Sequence, residues 1–286
     1  MEECSGMDER KYLYNTNKTL KRLRHLTGMA IQDFNMISAG DRVMVCMSGG
    51  KDSYALLEIL TSLQKSAPVD FVLVPVHLDA RLPGYPEGVM EEYLKKTGLE
   101  YHIITEDVYS LIREKIPDGR NICSFCSRLR RGILYRVAGE IGASKIALGH
   151  HGDDILGTFF LNLFYAGAIK SMPPKLHTDD GRHIVIRPLS YCRERDIVRL
   201  SEGRGYPLFP KNMCSLGENK MRGEIREMIH DWDKKFPGRS MNMLRAMQRI
   251  CLSHMLDRSL YDFDRDRILA SIGGAASEEP FGSDAD

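Results

Sequence analysis

The chain has 286 residues, 43% hydrophobic and 28% charged, with a formal net charge of +1. That length allows one large core with a small appended element, and the near-neutral balance excludes a uniformly basic nucleic-acid coat, so an RNA partner must meet a local basic patch. No run of about 18 apolar residues marks a membrane span, and the polar start, Met1 to Lys21, lacks a signal-peptide pattern, so a cytoplasmic protein is expected.

Met1 to Tyr14 is polar and expected to be loose. From Thr16 to Ile37, Leu20, Leu23, Leu26, Met29, Ala30, Phe34 and Ile37 mark an amphipathic helix. Its other side carries Lys18, Lys21, Arg22 and Arg24, either a solvated face or an RNA backbone contact. Residues 1–37 read as an N-terminal extension to an α/β domain at 38–205. Val43 to Met47 is unbroken and apolar, the pattern of a strand buried on both faces. Ser48-Gly49-Gly50-Lys51-Asp52-Ser53 follows, then Tyr54, Leu56, Leu57, Ile59, Leu60 and Leu63 at helical spacing. The six-residue loop thus joins a strand end to a helix N-terminus, where free N–H groups and the positive end of the macrodipole favour an anion. The glycines admit backbone amides close to an oxyanion, Ser48 and Ser53 offer hydroxyls, and Lys51 adds charge; phosphate is the expected anion. A Walker A loop is excluded because Val45 and Asp52 stand at two of its defining positions. Asp52 beside a polyphosphate is repulsive unless Mg²⁺ lies between them.

Val69 to Leu78 reads as a second buried strand. Asp79 after it lies at the C-terminal sheet edge, where doubly wound folds bind nucleosides, although a plain loop aspartate fits equally. A Pro83–Pro86 turn, a helix near Glu87 to Thr97 and a strand near Glu100 to Ile104 continue a right-handed parallel α/β alternation. A short helix from Asp107 to Ile116 closes at Pro117-Asp118-Gly119. Seven cysteines, an odd number, argue against a disulfide framework. Cys123-Ser124-Phe125-Cys126 opens a helix reaching about Ile141 and marks a metal, cluster or redox site, with no second pair at ribbon spacing for zinc. Arg128, Arg130 and Arg131 beside it are RNA backbone contacts or a basic helix face.

Lys145 to Leu148 is a fourth strand, followed at the same edge by Gly149-His150-His151-Gly152-Asp153-Asp154. Asp153 and Asp154 are placed to hold Mg²⁺ or to complement the first turn of a helix from Ile155 to Tyr165; His150 or His151 meets phosphate or supports the carboxylates. Lys170 to Lys175 reads as a loop, Ile184 to Leu189 as a fifth strand, and Arg193 opens a helix ending near Gly203. Residues 206–272 form a helical C-terminal region: Pro207 to Met221, irregular and carrying Cys214, then helices at Glu224 to Phe236 and Met241 to Met247. The tail at 273–286 is expected to be disordered.

The SGGKDS loop after an apolar strand resembles the PP-loop of the ATP pyrophosphatases. With CSFCSRLRRGILYR at 123–136, GHHGDD at 149–154, MPPKL at 172–176 and IRPLSYCRERDI at 186–197, the sequence is similar, from roughly Leu20 to Phe263, to the tRNA 2-thiocytidine synthetase family. The resemblance implies an α/β fold, a parallel doubly wound sheet of the adenine nucleotide alpha hydrolase type. It implies a tRNA-cytidine(32) 2-sulfurtransferase that adenylates C2 and replaces its oxygen with sulfur, using ATP, Mg²⁺ and a 4Fe-4S cluster. Sulfur would come from a cysteine desulfurase, the RNA partner would be tRNA, and the assembly a homodimer. Carried over by position, Ser48, Gly49, Gly50, Lys51, Asp52, Ser53, Asp79 and His150 bind the nucleotide. Lys51, Asp52 and Asp153 act in catalysis, Mg²⁺ lies among Asp52, Asp153 and Asp154, and Cys123, Cys126 and Cys214 ligate the cluster.

The sequence departs from the family twice. Relatives often carry a C-x-x-C at the later cysteine site, whereas Lys211 precedes Asn212, Met213 and a single Cys214 here; Gly152 stands where a larger, often basic residue is common. Cys46, Cys192 and Cys251 read as core or incidental thiols and Cys4 as a tail thiol. The rival readings are a tRNA 2-thiouridine synthetase, whose usual extra zinc-binding cysteine pairs are missing, and a nucleotide-binding module with structural zinc.

Overall fold

The computed structural model describes residues 2–115, 122–178, 181–210, 220–265 and 267–269, the side chains of 2–9, 123 and 124 excepted. Among these, the strands β1 (Arg42–Met47), β2 (Val72–Asp79), β3 (His102–Thr105), β4 (Lys145–Ala147), β5 (Lys175–His177) and β6 (Ile184–Ile186) form one sheet in the order β3-β2-β1-β4-β6-β5. All neighbours are parallel except β5, which runs antiparallel to β6. The chain moves outward from β1 to β2 and β3, then returns to lay β4 on the other side of β1. The strand order therefore reverses between β1 and β4, and the loops after those two strands meet at that reversal. In open α/β sheets this is where ligands bind.

The unbroken apolar run of β1 has a direct cause: both its faces are covered. Val43, Val45 and Met47 pack against α1 (Glu2–Asp33), α2 (Lys51–Gln64), α3 (Val89–Thr97) and α7 (Glu194–Arg204), through Leu23, Ala30, Leu57, Leu60, Met90 and Leu200. Met44, with Val74, Val76 and Ile146, packs instead on Val137 and Ala138 of α5 (Ile122–Glu140). A smaller cluster joins Ala80, just past β2, to α4 (Val108–Lys115) and to the first turns of α5. A further one joins α6 (Gly152–Leu161) to α8 (Lys220–Lys235) and α9 (Arg239–Ala246) through Leu156, Phe160, Ile225, Ile229 and Leu244. A two-residue ladder, β7 (Tyr261–Asp262) with β8 (Arg267–Ile268), lies near the C-terminus. No helix among the described residues is long and apolar enough to cross a membrane.

The structure corrects three sequence expectations. The first helix starts at Glu2, not near Thr16. Its early turns expose Tyr12, Leu13 and Tyr14, so they carry no amphipathic signal, and propagation from the anchored half extends the helix at little cost. Lys175–His177 is an edge strand, not loop; three residues with one apolar side chain are too short to leave a pattern. Past Leu161, α6 widens into a π-helical turn at Asn162–Ala166, where Asn162 Nδ2 donates to Thr158 O at 2.9 Å and Lys170 O at 3.2 Å. The expected tail at 273–286 lies outside the described residues.

Candidate active site

Gly49 and Gly50 carry the chain from β1 into α2, and the turn is cross-linked to itself. Ser53 Oγ donates to Gly50 O at 2.8 Å and accepts from Ser48 N at 3.2 Å, while Gly50 N donates to Ser48 Oγ at 3.3 Å. The two serines thus serve the shape of the loop as well as any ligand. Gly49 adopts φ +80, and a Cβ there would lie 2.3 Å from the Phe209 ring. Phe209 N also donates to Gly49 O at 3.0 Å, which ties the segment after α7 to the loop. Gly49→Ala meets both obstacles; it is expected to strain the loop by about 1–3 kcal/mol and to weaken nucleotide binding roughly ten- to a hundredfold, read by isothermal titration.

Lys51 Nζ lies 3.1 Å from Asp52 Oδ2 and 2.9 Å from Glu194 Oε1. Burial works against its charge, but the two carboxylates outweigh it and hold the Lys51 pKa above the ordinary lysine value. The other oxygen of Asp52, Oδ1, is buried without a hydrogen-bond partner; His151 Nε2, at 3.6 Å, is beyond bonding distance. A buried carboxylate oxygen left so is costly unless a cation takes it.

The loop after β4 meets this turn directly: a Cβ on Gly149 would touch the Asp52 carbonyl group and Ser53 N at 3.1–3.2 Å. His151 is buried at the start of α6, and its Nδ1 lies 3.4 Å from Asp154 Oδ2 and 3.8 Å from Asp153 Oδ2. His151 N donates to Asp154 Oδ2 at 3.0 Å, so Asp154 caps α6 with one oxygen. Asp153 is more fully engaged. It accepts from Arg193 Nε at 3.1 Å on both oxygens, from a guanidinium nitrogen at 2.8 Å and from Glu194 N at 2.7 Å. Burial pushes its pKa up, but these donors prevail and hold it below the usual aspartate range. His150 accepts from Arg187 Nε at 3.4 Å, and burial, with the Arg187 charge next, pushes its pKa down to about 4; it is neutral at pH 7. Gly152 has a packing reason: a Cβ would lie 2.9 Å from both Cys192 O and Leu244 Cδ1. Four carboxylates, Asp52, Asp153, Asp154 and Glu194, thus gather here with Lys51 and Arg193 paired to them, while Arg187 bonds His150 and the Arg226 and Arg222 charges act on Glu194 and His150. A divalent cation between these carboxylates and an incoming polyphosphate would offset their repulsion, and Mg²⁺, which takes one or two carboxylates with substrate phosphates, fits.

On the β2 side, Asp79 Oδ1 accepts from Arg81 N at 2.8 Å and shapes the turn that follows. His77 spans Met47 O at 2.7 Å and Tyr85 Oη at 2.9 Å, and its ring meets Tyr85 and Phe209 in an aromatic wall beside the loop. The first turns of α5 pack next to Ala80, which brings Cys126 to this edge of the sheet; the Arg130 charge acts on both Cys46 and His77. Cys123 stands three residues before Cys126 on α5, its side chain outside the described residues, as are Cys214 and Lys211. Cys46 and Cys192 pack inside, their thiol pKa values pushed up to about 12 by burial, whereas Cys251 is exposed beside His254.

Three site residues escape a reading of the sequence. Glu194 and Arg193 are visible only as charges opening a helix, and Phe209 lies in a stretch without periodicity. Only the folded chain brings them to the phosphate loop.

A parallel sheet with a glycine-serine anion loop at its reversal point defines the PP-loop class, and a family model described as a PP-loop domain matches residues 18–215. The chain is 59% identical to the tRNA-cytidine(32) 2-sulfurtransferase of Chromobacterium violaceum over 254 residues, 89% of this chain and 80% of that one. It is also 59% identical to the enzyme of the same name from Vibrio cholerae, over 87% of this chain and 81% of that one. The chain belongs to the tRNA-cytidine(32) 2-sulfurtransferase family. Its fold is similar to that of the U34-tRNA thiolase NcsA from Methanococcus maripaludis, solved with its 4Fe-4S cluster, with a TM-score of 0.64 and 22% identity over 84% of this chain and 80% of that one.

Proposed function

We propose that this protein replaces the C2 oxygen of cytidine 32 in tRNA with sulfur, consuming ATP to AMP and pyrophosphate. The observation that carries the reading is one of placement: the phosphate loop after β1 and the Cys123–Cys126 turn of α5 flank the same sheet edge, in a chain of this family. The C2 carbonyl of cytosine is a poor electrophile with oxide as leaving group, so it must be activated before sulfur can displace it. The Ser48–Ser53 loop and the α2 N-terminus hold the β and γ phosphates, with Asp79 toward the nucleoside and neutral His150 as a hydrogen-bonding partner. The C2 oxygen then attacks the α phosphate and pyrophosphate departs, with Lys51 stabilising the charge that develops. A sulfur nucleophile adds at C2, and AMP leaves with the original oxygen. Asp52, through its unpartnered Oδ1, would hold Mg²⁺, which neutralises phosphate charge, while Asp154 lies against the other ring nitrogen of His151. Asp153, with every oxygen engaged, positions α7 against α6.

Cys126 and Cys123, one helical turn apart, share a face of α5. With Cys214 they supply a three-thiolate donor set suited to an iron–sulfur cluster. Held by these three cysteines, a 4Fe-4S cluster would supply a site for attaching the sulfur atom that is transferred. Arg128, Arg130 and Arg131 follow on the same helix and meet the tRNA backbone near the unstacked base. A cysteine desulfurase as sulfur source and a homodimer rest on the family resemblance.

Nucleoside mass spectrometry of bulk tRNA from cells lacking this protein, with and without a plasmid carrying it, tests the reading. Loss and restoration of 2-thiocytidine is the expected result; unchanged 2-thiocytidine, or loss of 2-thiouridine in its place, overturns it.

A further inference from the structure

The Lys51 ammonium group has three donors, and two of them face carboxylates. These two partners differ in kind. Asp52 is the next residue on the same turn of α2, moves with Lys51, and carries a second oxygen suited to a cation. Glu194 belongs to another element, at the first residue of α7. Its backbone is fixed, because Glu194 N donates to Asp153 Oδ2 at 2.7 Å and Arg193 grips the same carboxylate. Only its side chain is at liberty, and it reaches across to Lys51 at 2.9 Å with 31% of its surface exposed.

We propose that Glu194 is a positioning residue for Lys51, an ion-pair partner with which the pyrophosphate portion of the nucleotide competes for the same ammonium group. The proposal rests on the phosphate-binding reading of the Ser48–Ser53 loop. The competition has a use in turnover. Pyrophosphate is the product that must leave, and a lysine with no alternative partner would retain it. Glu194 recaptures Lys51 as pyrophosphate departs and returns it to one orientation for the next nucleotide.

A merely structural role at the α7 N-terminus and this competitive one predict different results. If Glu194 only anchors α7, its backbone bond survives in Glu194→Gln and phosphate binding is unchanged or weaker. If it competes, the neutral amide tightens binding of magnesium pyrophosphate by about three- to tenfold, lowers KM for ATP and lowers kcat through slower product release. Isothermal titration of magnesium pyrophosphate against the wild type, Glu194→Gln, Lys51→Met and the double variant reads this directly, with thermal melting as the check on folding. The tightening should vanish in the Lys51→Met background. Unchanged or weaker affinity in a Glu194→Gln protein that melts like the wild type overturns the proposal, as does equal tightening without Lys51. Should Glu194→Gln not fold, Glu194→Asp, whose carboxylate falls one methylene short, is expected to tighten binding about threefold, and no change sinks the idea. A wild type that binds no magnesium pyrophosphate removes the phosphate reading and this proposal together; a wild type that binds, with a silent Glu194→Gln, removes this proposal alone.

Discussion

Asp52→Asn is expected to reduce thiolation of tRNA by at least about a hundredfold while leaving the fold intact. The substitution keeps the size and shape of the side chain and removes only its charge. In the folded chain that charge has two duties. Oδ2 partners Lys51 at 3.1 Å, and Oδ1 is buried with no hydrogen-bond partner at the mouth of the anion loop. The first duty is shared with Glu194, so its loss is small. The second is not shared in kind. Asp153 is saturated by Arg193 and Glu194 N, and Asp154 spends an oxygen on capping α6. Asp52 is thus the carboxylate best able to meet Mg²⁺ beside a polyphosphate, and an amide in its place offers that cation a much weaker oxygen. Thermal melting should change little, because removing one of several crowded carboxylates offsets the lost ion pair. The measurement is the rate of 2-thiocytidine formation over a Mg²⁺ titration. Activity within threefold of wild type at every Mg²⁺ concentration would sink the assignment of Asp52.

The fold and the phosphate loop were legible in the sequence because their causes are local. Val43 to Met47 reads as a doubly covered strand from five adjacent residues, and the loop after it is contiguous. That the 149–154 segment shares the C-terminal sheet edge with the loop follows from the parallel α/β alternation; the reversal of strand order between β1 and β4, which brings the two together, is seen only in the folded chain. What the sequence hid depends on distant partners. Asp153 and Asp154 are neighbours with the same chemistry, yet Arg193 and Glu194 of α7 bind one fully and leave the other less engaged. Phe209 sits over Gly49 through a contact that no spacing announces. Gly152 departs from the family pattern in sequence and is explained only by Cys192 O and Leu244 pressing on it. Local pattern names the parts of a site; the elements that return from far along the chain decide which part does what.

Arg193→Met should cost about 3–5 kcal/mol and lower the melting temperature by roughly 10 °C, the larger of the stability effects expected here. Arg193 is 5% exposed and Asp153 17%, so solvent screens their interaction weakly. Removing the guanidinium strands a buried carboxylate, and Asp233, 3.5 Å from the same group, keeps the exposed Arg195 at 3.3 Å and Ser240 N at 3.4 Å. The pH dependence separates this account from a simple packing defect. Burial pushes the Asp153 pKa up, and Arg193 more than reverses the push, so the folded value lies below the unfolded one of about 3.9. A depressed carboxylate contributes stability that is present above the unfolded pKa and is lost as pH falls through the folded value. In Arg193→Met the Glu194 N bond remains but the strongest donor and charge opposing burial are gone, so the Asp153 pKa rises, and protonation relieves the variant on acidification. The gap between wild type and variant should therefore be widest near pH 7, narrow as the pH falls, and close only below the depressed folded value of the wild type. Adding Asp153→Asn to Arg193→Met should recover much of the loss, since no charge is then left buried. A gap of constant size between pH 5 and pH 8, with no recovery in the double variant, would mean that Arg193 acts by filling space. Because Asp153 also accepts from Glu194 N, the same variant should loosen the first turn of α7 and with it the carboxylate that meets Lys51. Pyrophosphate affinity should then follow stability across the pH series and converge with the wild type as Asp153 is neutralised.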